Sequence, residues 1–369
     1  MTRDVTPGFA TDALERALGI YTPSLSEAPL AEYLGSLCRD IGFSNVRTDG
    51  VGNLIAEKGS GSPRILLCGH MDVVPGKVRV RREGDMLYGR GASDAKAPLL
   101  AMLFAAATAE EGGGSVVFVG AVDEEGSATG VKNLVKGEKT DYAVFGEPSG
   151  TGRVTIAYKG RLAINLRVRT GGGAHASAPW LSGNAIEESV AIAAAIKGRL
   201  EAGQESRSKG MMRTATMTGV RGGTSHNVIP GECETTFDIR IPVGGSCKET
   251  EQEVSEIVGS MSSGEGIEAF YSILDETEPF EAPHDSALVR AFTLAVMGAT
   301  GSRPALVRKT GTGDMNVLGN RWGIPVVTYG PGDPHEAHTA DEKVSIREYL
   351  LGIEVLKGAI RHIVRLHRR

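Results

Sequence analysis

Four short segments of the chain are apolar on successive residues and end in a turn. They are Ile65–Cys68 before GHMD, Val116–Val119 before GAVDEEG, Tyr142–Phe145 before GEPSG, and Pro325–Tyr329 before GPGD. A run of this kind has no polar face, which predicts a strand buried on both sides. Helical patterns lie between them, the clearest being Ala97–Glu110 (APLLAMLFAAATAE), which stops at GGG. Doubly buried strands alternating with helices predict an α/β layer on a mostly parallel sheet. Such sheets bind ligands beyond the carboxyl ends of their strands. Each of the four strands carries its charged residues there.

The middle of the chain is patterned differently. Arg161–Thr170 alternates and is followed by GGG, then by an Ala/Ile-rich helix from about Asn184 to Leu200. Alternating strands follow around Met211–Val220 and Glu232–Ile241, then a polar helix near Lys248–Met261 and a last strand, Ile267–Ile273. This β-α-β-β-α-β order is the split, ferredoxin-like arrangement, expected as an α+β domain inserted into the first. Ser286–Gly298 then resumes as a helix of the α/β layer.

Length agrees with that division, since 369 residues exceed one ordinary core. No apolar run approaches the roughly 18–20 residues that span a bilayer. The opening MTRDVTPGFATDALERALG has acids and turn formers where a signal peptide would be apolar. Cys38, Cys68, Cys233 and Cys247 form no CxxC pair, so reduced thiols and a cytoplasmic location are expected. A net charge of −5 carries no nucleic-acid or membrane signature. The charge is uneven, however. Arg153–Arg221 holds 11 Lys/Arg against 4 Asp/Glu, which suggests either a solvated basic surface or a docking face for an acidic partner.

Candidate chemistry gathers at the predicted strand ends. His70 and Asp72 project to one side of an extended chain, so that Asp72 can orient the histidine ring. Asp94 lies in the Gly-rich loop GRGASDAKAP, Glu147 follows a strand in GEP, and His338 lies in PHEAHTADE. Glu124 and Glu125 are adjacent and point apart, so one can bind a metal while the other acts as base. Each piece alone has an ordinary explanation as solvated surface charge. Together they offer two histidines and three carboxylates, a donor set for two divalent cations sharing one bridging carboxylate and a water. Zinc is expected, and cobalt or manganese suit the same N/O donors.

The segments LLCGHMDVVPG, LYGRGASDAK, AVDEEG, FGEPSG, GAHASAP, SHNVIPG and AHTADE resemble the dinuclear zinc metallopeptidases that include acetylornithine deacetylase, succinyl-diaminopimelate desuccinylase, aminoacylase and glutamate carboxypeptidase. The resemblance covers essentially the whole chain. It implies a catalytic domain of residues 1–160 and 278–369, with a lid and dimerisation domain over 161–277. It also implies that Asp94 bridges the metals, His70 with Glu147 holds one, Glu125 with His338 holds the other, and Glu124 is the base. A cis peptide is expected at Asp94–Ala95. Lys96-Ala97 stands where the family usually has a glycine. His175 resembles a lid histidine that stabilises the oxyanion in a partner subunit's site, so a homodimer is expected. Asn227 and Arg240 resemble residues that receive the substrate's polar and carboxylate groups, and Gly311-Thr312-Gly313-Asp314 a loop bordering the substrate. His226 and His335 receive no role.

Within the family, DAKAPL, DEEGSATGVKNLVK and RKTGTGDMNVLG are similar to the lysine and ornithine biosynthetic hydrolases of archaea and some thermophilic bacteria. Those enzymes release lysine or ornithine from the C-terminal glutamate of an acidic amino-group carrier protein, LysW. The alternatives are a small-molecule N-acyl-amino-acid deacylase or dipeptidase of the same chemistry and, more remotely, a non-catalytic scaffold.

Overall fold

A computed structural model describes residues 3–109, 113–204, 207–262 and 266–368. The chain forms two compact units. One comprises Met1–Ala157, Glu281–Arg308 and Gly313–Arg369, the other Tyr158–Phe280 with Lys309–Thr312.

The first unit opens with helices α1 (Pro7–Gly19) and α2 (Ala28–Asp40) and strands β1 (Ser44–Thr48), β2 (Leu54–Ser60) and β3 (Arg64–His70). After β4 (Arg81–Glu83) and β5 (Met86–Tyr88) come α3 (Lys96–Ala106), β6 (Gly114–Ala121), α4 (Thr129–Leu134), β7 (Tyr142–Gly146) and β8 (Arg153–Tyr158). The inserted unit contains β9 (Gly160–Arg169), α5 (Ala185–Glu201), β10 (Thr214–Gly222), β11 (Glu232–Ile241), α6 (Cys247–Met261) and β12 (Glu268–Thr277). The chain ends with β13 (Phe280–Glu281), α7 (Ala287–Thr300), β14 (Ala305–Lys309), α8 (Asp314–Trp322), β15 (Val326–Thr328), β16 (Lys343–Ser345) and α9 (Ile346–His367).

The main sheet has nine strands in the order β1-β2-β6-β3-β7-β15-β8-β13, with β14 also against β8. Its centre is parallel, because β3 pairs in parallel with β6 and β7, and β15 with β7. The flanks are antiparallel, β2 on β6 and β8 on β15. The four runs read as doubly buried are these central strands. All eleven residues of α3 are buried, because the helix packs on β3 on one side and on α1 and α9 on the other. A helix enclosed in this way needs no polar stripe, and its sequence has none. It ends at Ala106, short of the predicted Glu110, which falls outside the described residues.

The inserted unit has the predicted element order. Its sheet runs β10-β11-β9-β12 with every pairing antiparallel. The inward residues Leu162, Ile164, Leu166 and Val168 of β9 and Phe237 and Ile239 of β11 pack on Ile192, Ile196 and Leu200 of α5 and Val254 and Ile257 of α6. Alternation along these strands is the signature of a sheet covered on one face only. Among the described residues no helix is long and apolar enough to cross a membrane.

Candidate metal centre

Because β6, β3, β7 and β15 are neighbours in one parallel run, the chain leaves each of them at the same edge. His70 is the last residue of β3, Glu124 and Glu125 lie in the turn after β6, and Glu147 follows β7. Asp94 precedes α3, and its peptide bond to Ala95 is cis. His338 lies in the loop between β15 and β16. α3 packs beneath this edge, and a Cβ on Gly146 would lie 2.3 Å from Met102 Cε, the flexible end of a side chain.

Asp94 lies between the two histidines. Its Oδ1 is 3.2 Å from His70 Nε2 and its Oδ2 is 3.4 Å from His338 Nε2. His70 Nε2 is also 3.7 Å from Glu147 Oε1, and His338 Nε2 is 2.9 Å from Glu125 Oε1. Ligand atoms of His70, Asp94 and Glu125 lie within 4.8 Å of one another, as do those of His70, Glu124 and Glu147. Four carboxylates this close repel unless cations lie among them. Imidazole nitrogens and carboxylate oxygens in this ratio fit two divalent ions.

Asp72 does more than face the histidine. The His70 ring is held through Nδ1 by the backbone carbonyl of Asp72 at 2.9 Å, while the carboxylate Oδ1 is 3.5 Å away. The carboxylate accepts the backbone N–H of Glu124 and of Glu125, each at 3.1 Å, and the hydroxyl of Ser24 at 2.7 Å. Glu27 supports the same turn from outside, its Oε1 accepting the N–H of Asp123 at 3.0 Å. Asp123 and His338 both have positive φ, 60° and 64°, a conformation that L side chains adopt at a cost.

The electrostatics follow from crowding. Burial, with Glu147 beside it, pushes the Glu124 carboxyl well above the ordinary carboxylate range. Burial likewise raises Asp314, the first residue of α8, to about 7. Hydrogen bonding to Asp94 and the charge of Glu125 lift His338 to about 9. Burial opposes ionisation of Asp94, but both histidines outweigh it and hold that carboxyl far below its usual value.

Lys96 is fully buried at the start of α3. Its Nζ donates to the carbonyls of Ala17 and Ile20 at the C-terminal end of α1, where a cation is favourable. Burial lowers its pKa to about 7.

His175, Asn227, Arg240 and Thr312 belong to the inserted unit. The segments carrying the first two pair with each other, Ala176 N–H donating to Asn227 O at 2.8 Å. His175 Nδ1 lies 2.7 Å from Ser177 Oγ and 3.2 Å from the Ser177 backbone nitrogen, so Ser177 orients the ring. Arg240 is gripped by Asp238, with Nε to Oδ1 at 2.6 Å and Nη2 to Oδ2 at 3.2 Å, and donates through Nη1 to Thr312 Oγ1 at 3.0 Å. Gly313 is the N-cap of α8 in the first unit. Exposed His335 is paired with Asp333.

The inserted unit is not basic as a whole. It holds 13 Lys/Arg and 16 Asp/Glu, a net charge of −3. The antiparallel register sets Glu232 opposite Arg169 and Glu234 opposite Arg167, and both pairs are ionic contacts. Arg161 pairs with Asp238 and Asp275, and Arg199 and Arg213 with Glu253. Of the excess in Arg153–Arg221, Arg207, Lys209 and Arg221 in this unit are without an ion pair among the described residues. Most of the acids that neutralise that stretch follow it in sequence, between Glu232 and Asp275.

Ser24, Glu27 and Asp314 were not singled out as supporting groups from sequence. Ser24 and Glu27 act across 48 and 96 residues, and no local pattern marks them. Asp314 closes the GTGD loop expected to border the substrate, and its burial is set by the fold.

Comparison with known proteins shows the family. The profile described as peptidase family M20/M25/M40 matches residues 66–362. A LysW-lysine/LysW-ornithine hydrolase of Saccharolobus solfataricus is 30% identical over 355 residues, 96% of each chain. A Pyrococcus furiosus protein that carries the same name provisionally is 36% identical over 355 residues, 94% of this chain and 95% of its own. Among solved structures, a Staphylococcus aureus tripeptidase superposes with a TM-score of 0.81 at 21% identity, over 98% of this chain and 99% of its own. A dinuclear metal-binding peptidase of Bacillus subtilis gives 0.77 at 13% identity, over 98% of each chain.

Proposed function

The chain belongs to peptidase family M20/M25/M40, and from that membership we propose that it hydrolyses an amide bond at a centre for two divalent cations. His70 with Glu147 would hold one ion, Glu125 with His338 the other, and Asp94 would bridge them. Zinc is the proposed metal, with cobalt or manganese compatible with the same donors. The observation that carries the reading is Asp94, which turns one carboxylate oxygen toward each histidine. Bound there, such ions polarise a carbonyl and acidify water.

The chain's own groups do the rest. Glu124 takes a proton from the attacking water and returns it to the leaving amine, a task suited to a buried carboxyl of raised pKa. Asp72 fixes the His70 ring and the turn that carries Glu124. His175, its ring oriented by Ser177, is assigned as a donor to the carbonyl oxygen as charge develops there. Arg240, already oriented by Asp238, keeps further N–H groups for a substrate carboxylate. Asn227, Thr312 and Gly313 are assigned to the substrate's polar groups.

The proposed substrate is lysine or ornithine in amide linkage to the C-terminal glutamate of an acidic amino-group carrier protein. Support comes from relatives carrying that activity in their names along nearly the full length of both chains. The net negative charge of the inserted unit favours a second reading, a small-molecule N-acyl-amino-acid deacylase or dipeptidase. Turnover of carrier-linked lysine and ornithine, acetylornithine and succinyl-diaminopimelate by the metal-loaded protein separates the two. Fast release from the carrier is expected, and turnover of the small amides alone would sink the carrier reading.

A homodimer with the inserted domain as lid and contact surface belongs to the same proposal. Its support is the edge strand β10, which exposes Met217 and Val220. Light scattering at the mass of one chain would remove it. A cytoplasmic location is likewise proposed, supported by four buried free cysteines and checked by cell fractionation.

A further inference from the structure

Glu342 closes the motif AHTADE, and no role has been assigned to it. It is fully buried, where a carboxylate is costly unless every lone pair is used. Its Oε1 accepts the backbone N–H of Ser93 and of Asp94, both at 2.9 Å. Its Oε2 accepts from Arg90 Nη1 at 2.8 Å, and Arg90 is anchored in turn by donating from Nε to Gly76 O. The backbone carbonyl of Glu342 accepts the N–H of Gly89. One residue therefore grips both ends of the loop that delivers Asp94.

That residue lies four positions after His338, on the segment leading into β16, which pairs with β5 just ahead of the Gly89–Asp94 loop. The stretch that brings in His338 thus also fixes the backbone of Asp94, whose Oδ2 is 3.4 Å from His338 Nε2. Only a carboxylate suits the position. It offers acceptors on both edges, whereas an amide would set its NH2 against donors on one of them.

We propose that Glu342 is a positioning residue that holds the Asp94 carboxylate in register with His338, and so sets the spacing at which two cations are bridged. The inference rests on the two-cation reading and deepens it. Two measurements test it on the full-length protein. In the metal-stripped parent, the Ser93 and Asp94 amides should be protected from hydrogen exchange before any metal is added. Free exchange of those amides would overturn the proposal, whatever the variants do.

The second measurement is a manganese titration of parent and Glu342→Gln, with electron paramagnetic resonance of the loaded forms. The parent should bind two ions and give an exchange-coupled spectrum. The variant should keep the first ion, bind the second roughly 10- to 100-fold more weakly and lose the coupling. Its kcat, corrected for the folded fraction measured by circular dichroism, should fall while KM holds. Parent-like affinities with the coupled spectrum retained would reject the role of Glu342. A parent that takes up fewer than two ions would instead reject the two-cation reading.

Discussion

Asp72 accepts the backbone N–H of Glu124 through Oδ1 at 3.1 Å, so the residue that holds the His70 ring, a proposed metal ligand, also sets the proposed base. Its other oxygen does the same for Glu125. Asp72→Asn keeps the shape but places an NH2 group against one of these donors. We expect a loss of about 1–3 kcal/mol in stability from the unsatisfied buried groups. A fall in kcat of roughly 10- to 100-fold should accompany it. Urea unfolding and steady-state kinetics on the same preparation check both, and a variant with parent kcat would remove Asp72 from the positioning of Glu124.

Glu124→Gln removes the proton acceptor and leaves the proposed ligands in place. Metal content should stay at the parent value, measured by elemental analysis, while kcat falls by roughly 100- to 10,000-fold. Loss of a metal ion in this variant would show that Glu124 is a ligand, as its nearness to His70 and Glu147 allows.

Removing metal should make stability depend on pH in a defined direction. In the metal-free fold His338 is raised to about 9 by Asp94 and Glu125, against about 6.5 for an unperturbed histidine. A raised pKa means that the folded state holds the proton more tightly. The stabilisation is then complete below about 6.5 and lost as pH rises through about 9. Glu124, raised by burial, changes stability in the same sense. Lys96, lowered to about 7 by burial, acts in the opposite sense over that range, so the difference in urea midpoint between chelated parent and chelated His338→Gln should drop between pH 6.5 and 9. Over the same range metal affinity should rise, because cation and proton compete for one nitrogen. A parent-minus-variant difference that rises across that interval would contradict the assigned charges.

The sequence by itself determined the elements and the list of candidate ligands. The runs that became β3, β6 and β7 have no polar face, and α3 has no polar stripe, because all four are enclosed on every side. Alternation in Arg161–Thr170 and Glu232–Ile241 marked one-faced strands for the same reason. Burial imposes a local period, and a local period can be read along the chain. His70, Asp94, Glu125, Glu147 and His338 stood out because parallel strands must end at a common edge.

Tertiary structure alone decided which groups face one another. Ser24, Glu27 and Glu342 reach the site across 48, 96 and 248 residues, separations over which no sequence period survives. Strand register did the same for charge. Arg167 and Arg169 looked like part of a basic stretch until β11 laid Glu234 and Glu232 across them. A hydrogen bond or an ion pair depends on distance in space, and only the folded chain fixes that.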